Sequence, residues 1–229
     1  MILHIPHAST DTLGKSFLCD LSLELERMTD IHTDLLFDHP DATKIIFPIS
    51  RLICDVERFE DDSLEVMSKQ GMGVCYATNS FGRPLRHIID KEKKEITENF
   101  YRPHHLKLSQ AVENELHLYN KALIIDCHSF SNTPLPHEKS QNIPRPDICI
   151  GSDSFHTPKV LIYSAIQHFT ECGYTVSLND PFAGALVPMK FYQQDKRVQG
   201  IMIEINRDIY KSNIEKLKQN INIWLSSLI

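Results

Sequence analysis

His7 and His128 each close a short apolar run, in Ile2-Leu3-His4-Ile5-Pro6-His7 and Leu123-Ile124-Ile125-Asp126-Cys127-His128. Ligands and catalytic groups of open α/β sheets gather at the carboxyl ends of strands, so both histidines are placed for metal binding or catalysis. Taken alone, His128 is equally readable as the cap of its strand. His4 falls inside its run and reads as a packed core histidine, whereas His7 emerges after Pro6. Two strand-end histidines supply two of the three protein ligands of a catalytic zinc site, and the third is then a carboxylate.

That carboxylate has candidates in Asp30, Asp34 and Asp38, which recur every four residues. On a helix this spacing sets all three on one face. A solvated acidic face is the plain reading; Asp34 or Asp30 can reach a metal held by two strand ends, and spacing does not choose between them. Glu204 lies deep in the apolar run Gly200-Ile201-Met202-Ile203-Glu204-Ile205. A buried ionised glutamate is costly unless paired, so Glu204 is either bonded to an arginine such as Arg207 or placed for chemistry.

Arg51 and Arg58 flank Leu52-Ile53-Cys54-Asp55-Val56-Glu57. A guanidinium fork suits a substrate carboxylate, and it suits Asp55 or Glu57 equally well. His104 and His105 stand side by side near a helix start, one expected to line a site and the other to face solvent. Other chemistries find no support. Cys127, His128 and Ser129 are consecutive and cannot form a nucleophile and base pair among themselves, and there is no G-x-S-x-G elbow, Walker A loop or G-x-G-x-x-G.

The elements that must position these residues alternate short apolar runs with segments of helical period, the pattern of an α/β chain. Strands are expected over 2–6, 44–49, 52–56, 74–78, 122–127, 147–150, 174–178 and 201–205. Helices are expected over 21–38, over 91–119 with a bend near Pro103, over 160–171 and over 214–228. The last opens on a capping box from Ser212 to Glu215, and the third ends at Gly173. The irregular stretches 59–73, 129–146 and 179–199 are candidate walls of a site.

The chain has 229 residues with 41% hydrophobic and 24% charged content, which excludes a disordered or fibrous protein and suffices for one substantial core. A single domain over 1–229 is expected. The net charge of −6 comes without a basic tract, so no nucleic-acid partner is expected. No apolar stretch approaches the length of a membrane span and the start lacks a leader-like pattern, so a cytoplasmic protein with no membrane partner is the simplest reading. The six cysteines are dispersed among apolar runs and read as buried thiols in a reducing compartment.

Six segments in order, I-P-H-A-S at His7, S-R-L-I-C-D-V-E-R, Y-R-P-H-H, I-D-C-H-S at His128, N-D-P-F-A-G-A and I-E-I-N-R, resemble the N-formylglutamate amidohydrolase family from about residue 2 to about 210. The resemblance implies a three-layer α/β/α domain with a mixed central sheet, a hydrolase fold of the zinc carboxypeptidase and aspartoacylase type. It implies zinc held by His7, a carboxylate and His128, with manganese or cobalt able to use the same ligands. Glu204 takes the position of the catalytic glutamate, and Arg58 joins it in the chemistry. Arg58, Arg51 and Arg207 match family arginines suited to gripping a substrate carboxylate, and His105 and Asn179 fall in matching motifs on the substrate side.

Three departures matter. The carboxypeptidase-like ligand pair is H-x-x-E, but the residue three after His7 is Thr10; we assign the middle ligand to Asp34, with Asp30 as the alternative. The position of Glu57 usually holds Asn in the family, and the loop P-F-A-G-A usually carries paired glycines. The implied reaction is hydrolysis of a small N-acyl amino acid, N-formyl-L-glutamate giving formate and glutamate. The alternatives are a metal-dependent hydrolase of another N-acyl or peptide substrate and a non-catalytic binding protein on the same fold.

Overall fold

The computed structural model describes residues 1–211 and 213–229. Four parallel strands form its centre: β1 (Ile2–Ile5), β2 (Thr43–Ile46), β3 (Ala122–Phe130) and β6 (Val198–Asn206). β4 (Ile148–Gly151) joins β6 antiparallel and carries β5 (Val176–Leu178) parallel at its other side. The sheet order is β2-β1-β3-β6-β4-β5, the mixed sheet the resemblance implies.

Alternation along the strands divides the core in two, because successive side chains point to opposite faces. Ile2, Ala122, Ile124 and Val198 pack with Leu108, Ala111 and Val112 of α4 (Arg102–Tyr119). On the other face, Leu3, Ile5, Ile125, Cys127, Ile201 and Ile203 meet α2 (Thr33–Leu36), α5 (Lys159–Glu171) and α7 (Ile214–Ser226) around Phe169 and Trp224. Helices on both faces of one sheet give the three layers. No described helix is long and apolar enough to cross a membrane.

Some expected elements differ. The runs 52–56 and 74–78 join no strand of the sheet; buried over 52–56 and 74–76, they form turns linked by Asp55 N–H to Val74 O at 2.8 Å, with isolated bridges from Met72 to Tyr76 and from Thr78 to Pro84. The helix expected over 91–119 is α3 (Asp90–Ile96), a π-helical turn over Thr97–Tyr101, and α4, so the irregularity falls just before Pro103. Ser212 lies outside the described residues; α7 is capped by the Asn213 side chain, which accepts from Lys216 N–H. Gly151 permits a close approach that matters for the site: a Cβ there would collide with the Gly184 carbonyl and the Met202 side chain, so only glycine lets the 179–185 loop lie over β4.

Candidate active site

A cleft of about 670 Å³ opens over the carboxyl ends of β1, β3 and β6. Its floor carries His7, His128 and Glu204, and its walls come from 129–142 and 179–183, within stretches expected to line a site. His128 and Glu204 are register partners on β3 and β6. His7 follows β1 and approaches His128 with ring centroids 5.2 Å apart.

The two imidazoles are held alike. His7 Nε2 lies 2.9 Å from Asp55 Oδ1, and His128 Nε2 lies 3.2 Å from Asp126 Oδ1 and 3.1 Å from Glu57 Oε1. Each outer nitrogen thus faces a buried carboxylate, which directs its proton outward and leaves Nδ1 turned inward. Both Nδ1 atoms converge on Asp30 Oδ2, at 3.0 Å from His128 and 3.6 Å from His7. The Nδ1 of His7 is buried with no hydrogen-bond partner. Imidazoles whose outer nitrogens face carboxylates, beside a further carboxylate, are donor types that suit a zinc-type ion. Glu57 also reaches this pair: its donor atoms and those of His7 and His128 lie within 4.8 Å of one another.

Asp34 is not brought to the histidines. The helix expected over 21–38 breaks into α1 (Leu21–Met28) and α2, with Thr29 extended and His32 at φ 66 in the left-handed region. The common face of Asp30, Asp34 and Asp38 therefore does not exist. Asp30 sits in the break, pinned by its N–H to His7 O at 2.9 Å, with its side chain in the site. Asp38 pairs with Lys44 at 2.6 Å at the surface. The alternative, Asp30, thus occupies the place expected of Asp34. Burial pushes the Asp30 carboxyl up, but the neighbouring imidazoles of His128 and His7 outweigh it and hold it well below the ordinary range.

Glu204 is 7% exposed, and its Oε2 is buried without a partner. Burial pushes its pKa up to about 8. The arginine pairing considered for it is not made by Arg207. That guanidinium instead donates to the carbonyls of Glu26, Arg27 and Thr29 at 2.9, 2.7 and 2.7 Å, closing the carboxyl end of α1. Arg51 lines the cleft but bonds Asp55 Oδ2 at 2.8 Å, while Arg58 stands 3.8 Å from the same oxygen. His105 lies outside the cleft, with Nε2 on Val56 O at 2.9 Å and its ring against Tyr101. Asn179 reaches the cleft wall, where it receives Ser152 N–H at 2.8 Å.

Asp55, Asp126 and Tyr76 were not foreseen as site residues. Asp55 is fully buried, and Tyr76 OH donates to it at 2.5 Å. The nearby guanidinium groups of Arg51 and Arg58 hold Asp55 well below the usual carboxylate range despite its burial. Asp126 carried a readable signal, since residues i and i+2 of a strand share a face and Asp126 must accompany His128. Asp55 and Tyr76 carried none, because irregular turns deliver them.

The model of the N-formylglutamate amidohydrolase family matches residues 1–211. An N-formylglutamate deformylase of Pseudomonas putida is 24% identical over 196 residues, 82% of this chain and 72% of that protein. The crystal structure of an N-formylglutamate amidohydrolase from Ralstonia eutropha JMP134 superposes with a TM-score of 0.85 at 20% identity, over 97% of this chain and 90% of the other. A gene product of Agrobacterium tumefaciens superposes with a TM-score of 0.68 at 18% identity, over 100% and 90%.

Proposed function

The chain belongs to the N-formylglutamate amidohydrolase family, and on that premise we propose that it hydrolyses N-formyl-L-glutamate to formate and L-glutamate with a divalent metal, zinc by donor type, held by His7, Asp30 and His128. The observation that carries this reading is the convergence of both Nδ1 atoms on Asp30 Oδ2, with their outer nitrogens on buried carboxylates. When bound, the metal supplies Lewis acidity to the amide carbonyl and to water.

Glu204 takes a proton from the attacking water and delivers it to the leaving amine nitrogen. A carboxyl with a pKa near 8 is poised to hold and release that proton around neutral pH. Arg58, the less committed guanidinium, offers its N–H groups to the carbonyl oxygen as charge develops there. Arg51, anchored on Asp55, presents the remaining cationic edge to the substrate carboxylate. The rings of His7 and His128 stay fixed throughout by Asp55 and Asp126.

The presence of Glu57 in the cleft favours a second reading, a metal-dependent deacylase of another N-acyl amino acid, because a carboxylate changes what the floor accepts beside Arg58. One experiment addresses both: formate release from N-formyl-L-glutamate by zinc-replete protein, with metal content measured on the same sample. Formate released at a rate that falls with chelator establishes the reaction and its metal dependence. Bound metal without formate, together with hydrolysis of another donor from an N-acyl amino acid panel, establishes the second reading. Absence of metal after zinc loading overturns the ligand assignment.

A further inference from the structure

Behind His128 lies a buried string of polar side chains that the reaction itself does not use. His104 on α4, His4 on β1 and Asp126 on β3 are 4%, 0% and 2% exposed. His104 Nε2 lies 2.9 Å from His4 Nε2, His4 Nδ1 lies 2.7 Å from Asp126 Oδ1, and the same oxygen lies 3.2 Å from His128 Nε2. The other Asp126 oxygen accepts from Leu186 N–H at 2.9 Å. His4 and Asp126 are register partners on adjacent parallel strands, so their meeting follows from the sheet and not from a mobile loop.

Proton accounting gives the string a direction. Asp126 accepts, so His4 donates through Nδ1, which leaves His4 Nε2 as the acceptor for His104 Nε2–H. Burial keeps His104 neutral, with its pKa pushed down to about 2, so it has one ring proton to give. Asp126 is thereby held by His4 and a backbone amide, with its Oδ1 facing His128 Nε2. A carboxylate fixed in this way, together with Glu57 Oε1 at 3.1 Å from the same nitrogen, keeps the His128 proton on Nε2 and leaves Nδ1 facing Asp30 Oδ2. The arrangement parallels that at His7, where Tyr76 and Arg51 hold Asp55.

We propose that His4 and His104 are positioning residues which, through Asp126, hold the His128 ring in the orientation and tautomer that bind metal. The proposal rests on the reading of His128 as a metal ligand.

The test compares zinc affinity, measured by competition with a chromophoric chelator, with steady-state hydrolysis of N-formyl-L-glutamate. His4→Leu is expected to weaken zinc binding about 10- to 100-fold and to lower kcat with KM little changed, the size of effect seen when an outer partner of a ligand histidine is lost. His4→Asn places an amide N–H where Nδ1–H stood and is expected to recover most of the affinity. His104→Leu is expected to give a smaller loss in the same direction, recovered by His104→Gln. Should His4→Leu fail to fold, His4→Asn and the His104 pair carry the comparison. Equal zinc affinity and kcat in wild type, His4→Leu and His104→Leu would overturn the proposal while leaving the metal reading intact. Two zinc ions per wild-type chain, falling to one in His4→Leu, would also overturn it, making His4 itself a ligand in the group it forms with Glu57 and Asp126. A wild type that binds no zinc overturns both readings together.

Discussion

His128 on β3 and Glu204 on β6 are register partners in neighbouring parallel strands, so their side chains leave the sheet on one face and enter the cleft side by side. The side chains we propose as metal ligand and proton carrier are thereby placed by backbone pairing alone, without any loop needing to order. The sheet supplies the rigidity that such a constellation needs.

Replacing Glu204 with Gln keeps shape and removes the proton site. Metal content is expected to stay at the wild-type level while formate release falls about 10²- to 10⁴-fold, the usual weight of a general acid–base group. Wild-type turnover in Glu204→Gln would assign the proton transfer to another residue.

Asp30→Asn and Asp34→Asn separate the two acids that sequence spacing left open. Asp30→Asn is expected to lose bound metal on dialysis and activity with it. Asp34→Asn is expected to match wild type in both. Metal analysis of the dialysed proteins decides, and the opposite result would return the ligand to Asp34.

Arg207 is expected to act on stability and not on substrate binding, because its guanidinium closes α1 through three carbonyls. Arg207→Ala is expected to lower unfolding free energy by about 1.5–3 kcal/mol, the range for hydrogen bonds from a charged donor, with KM near wild type. Denaturant unfolding and steady-state kinetics on the same preparation check both parts.

The contribution of His104 and His105 to stability is expected to fall as pH drops below about 6.5, the ordinary histidine value. Burial pushes the pKa of His105 down to about 4 and that of His104 to about 2, so the folded state keeps both neutral. The unfolded chain binds those protons first, so their contribution is full above 6.5 and is lost as pH falls toward and through the folded values. His105→Gln, which can still donate to Val56 O, is expected to flatten the urea-midpoint profile between pH 6.5 and 4. An unchanged slope would show that His105 does not titrate on unfolding there.

The strand-end histidines and the apolar runs of the central strands are legible in the residue order alone, because these follow from periodicity and from the alternation of faces along a strand. The strand period also carries Asp126 on the same face as His128, a signal the sequence reading did not use. The remaining placements depend on the folded chain. Local spacing assumed an unbroken helix through Asp30, Asp34 and Asp38, whereas the chain breaks at Thr29 and His32 so that Met28 and Leu36 can bury in different clusters. The arginines were interchangeable in sequence, and only the folded chain assigns Arg51 to Asp55 and Arg207 to the end of α1. Asp30 meets His128 across 98 residues and Asp55 meets His7 across 48. No short-range pattern encodes such contacts, because they depend on how the buried faces of separate elements come together.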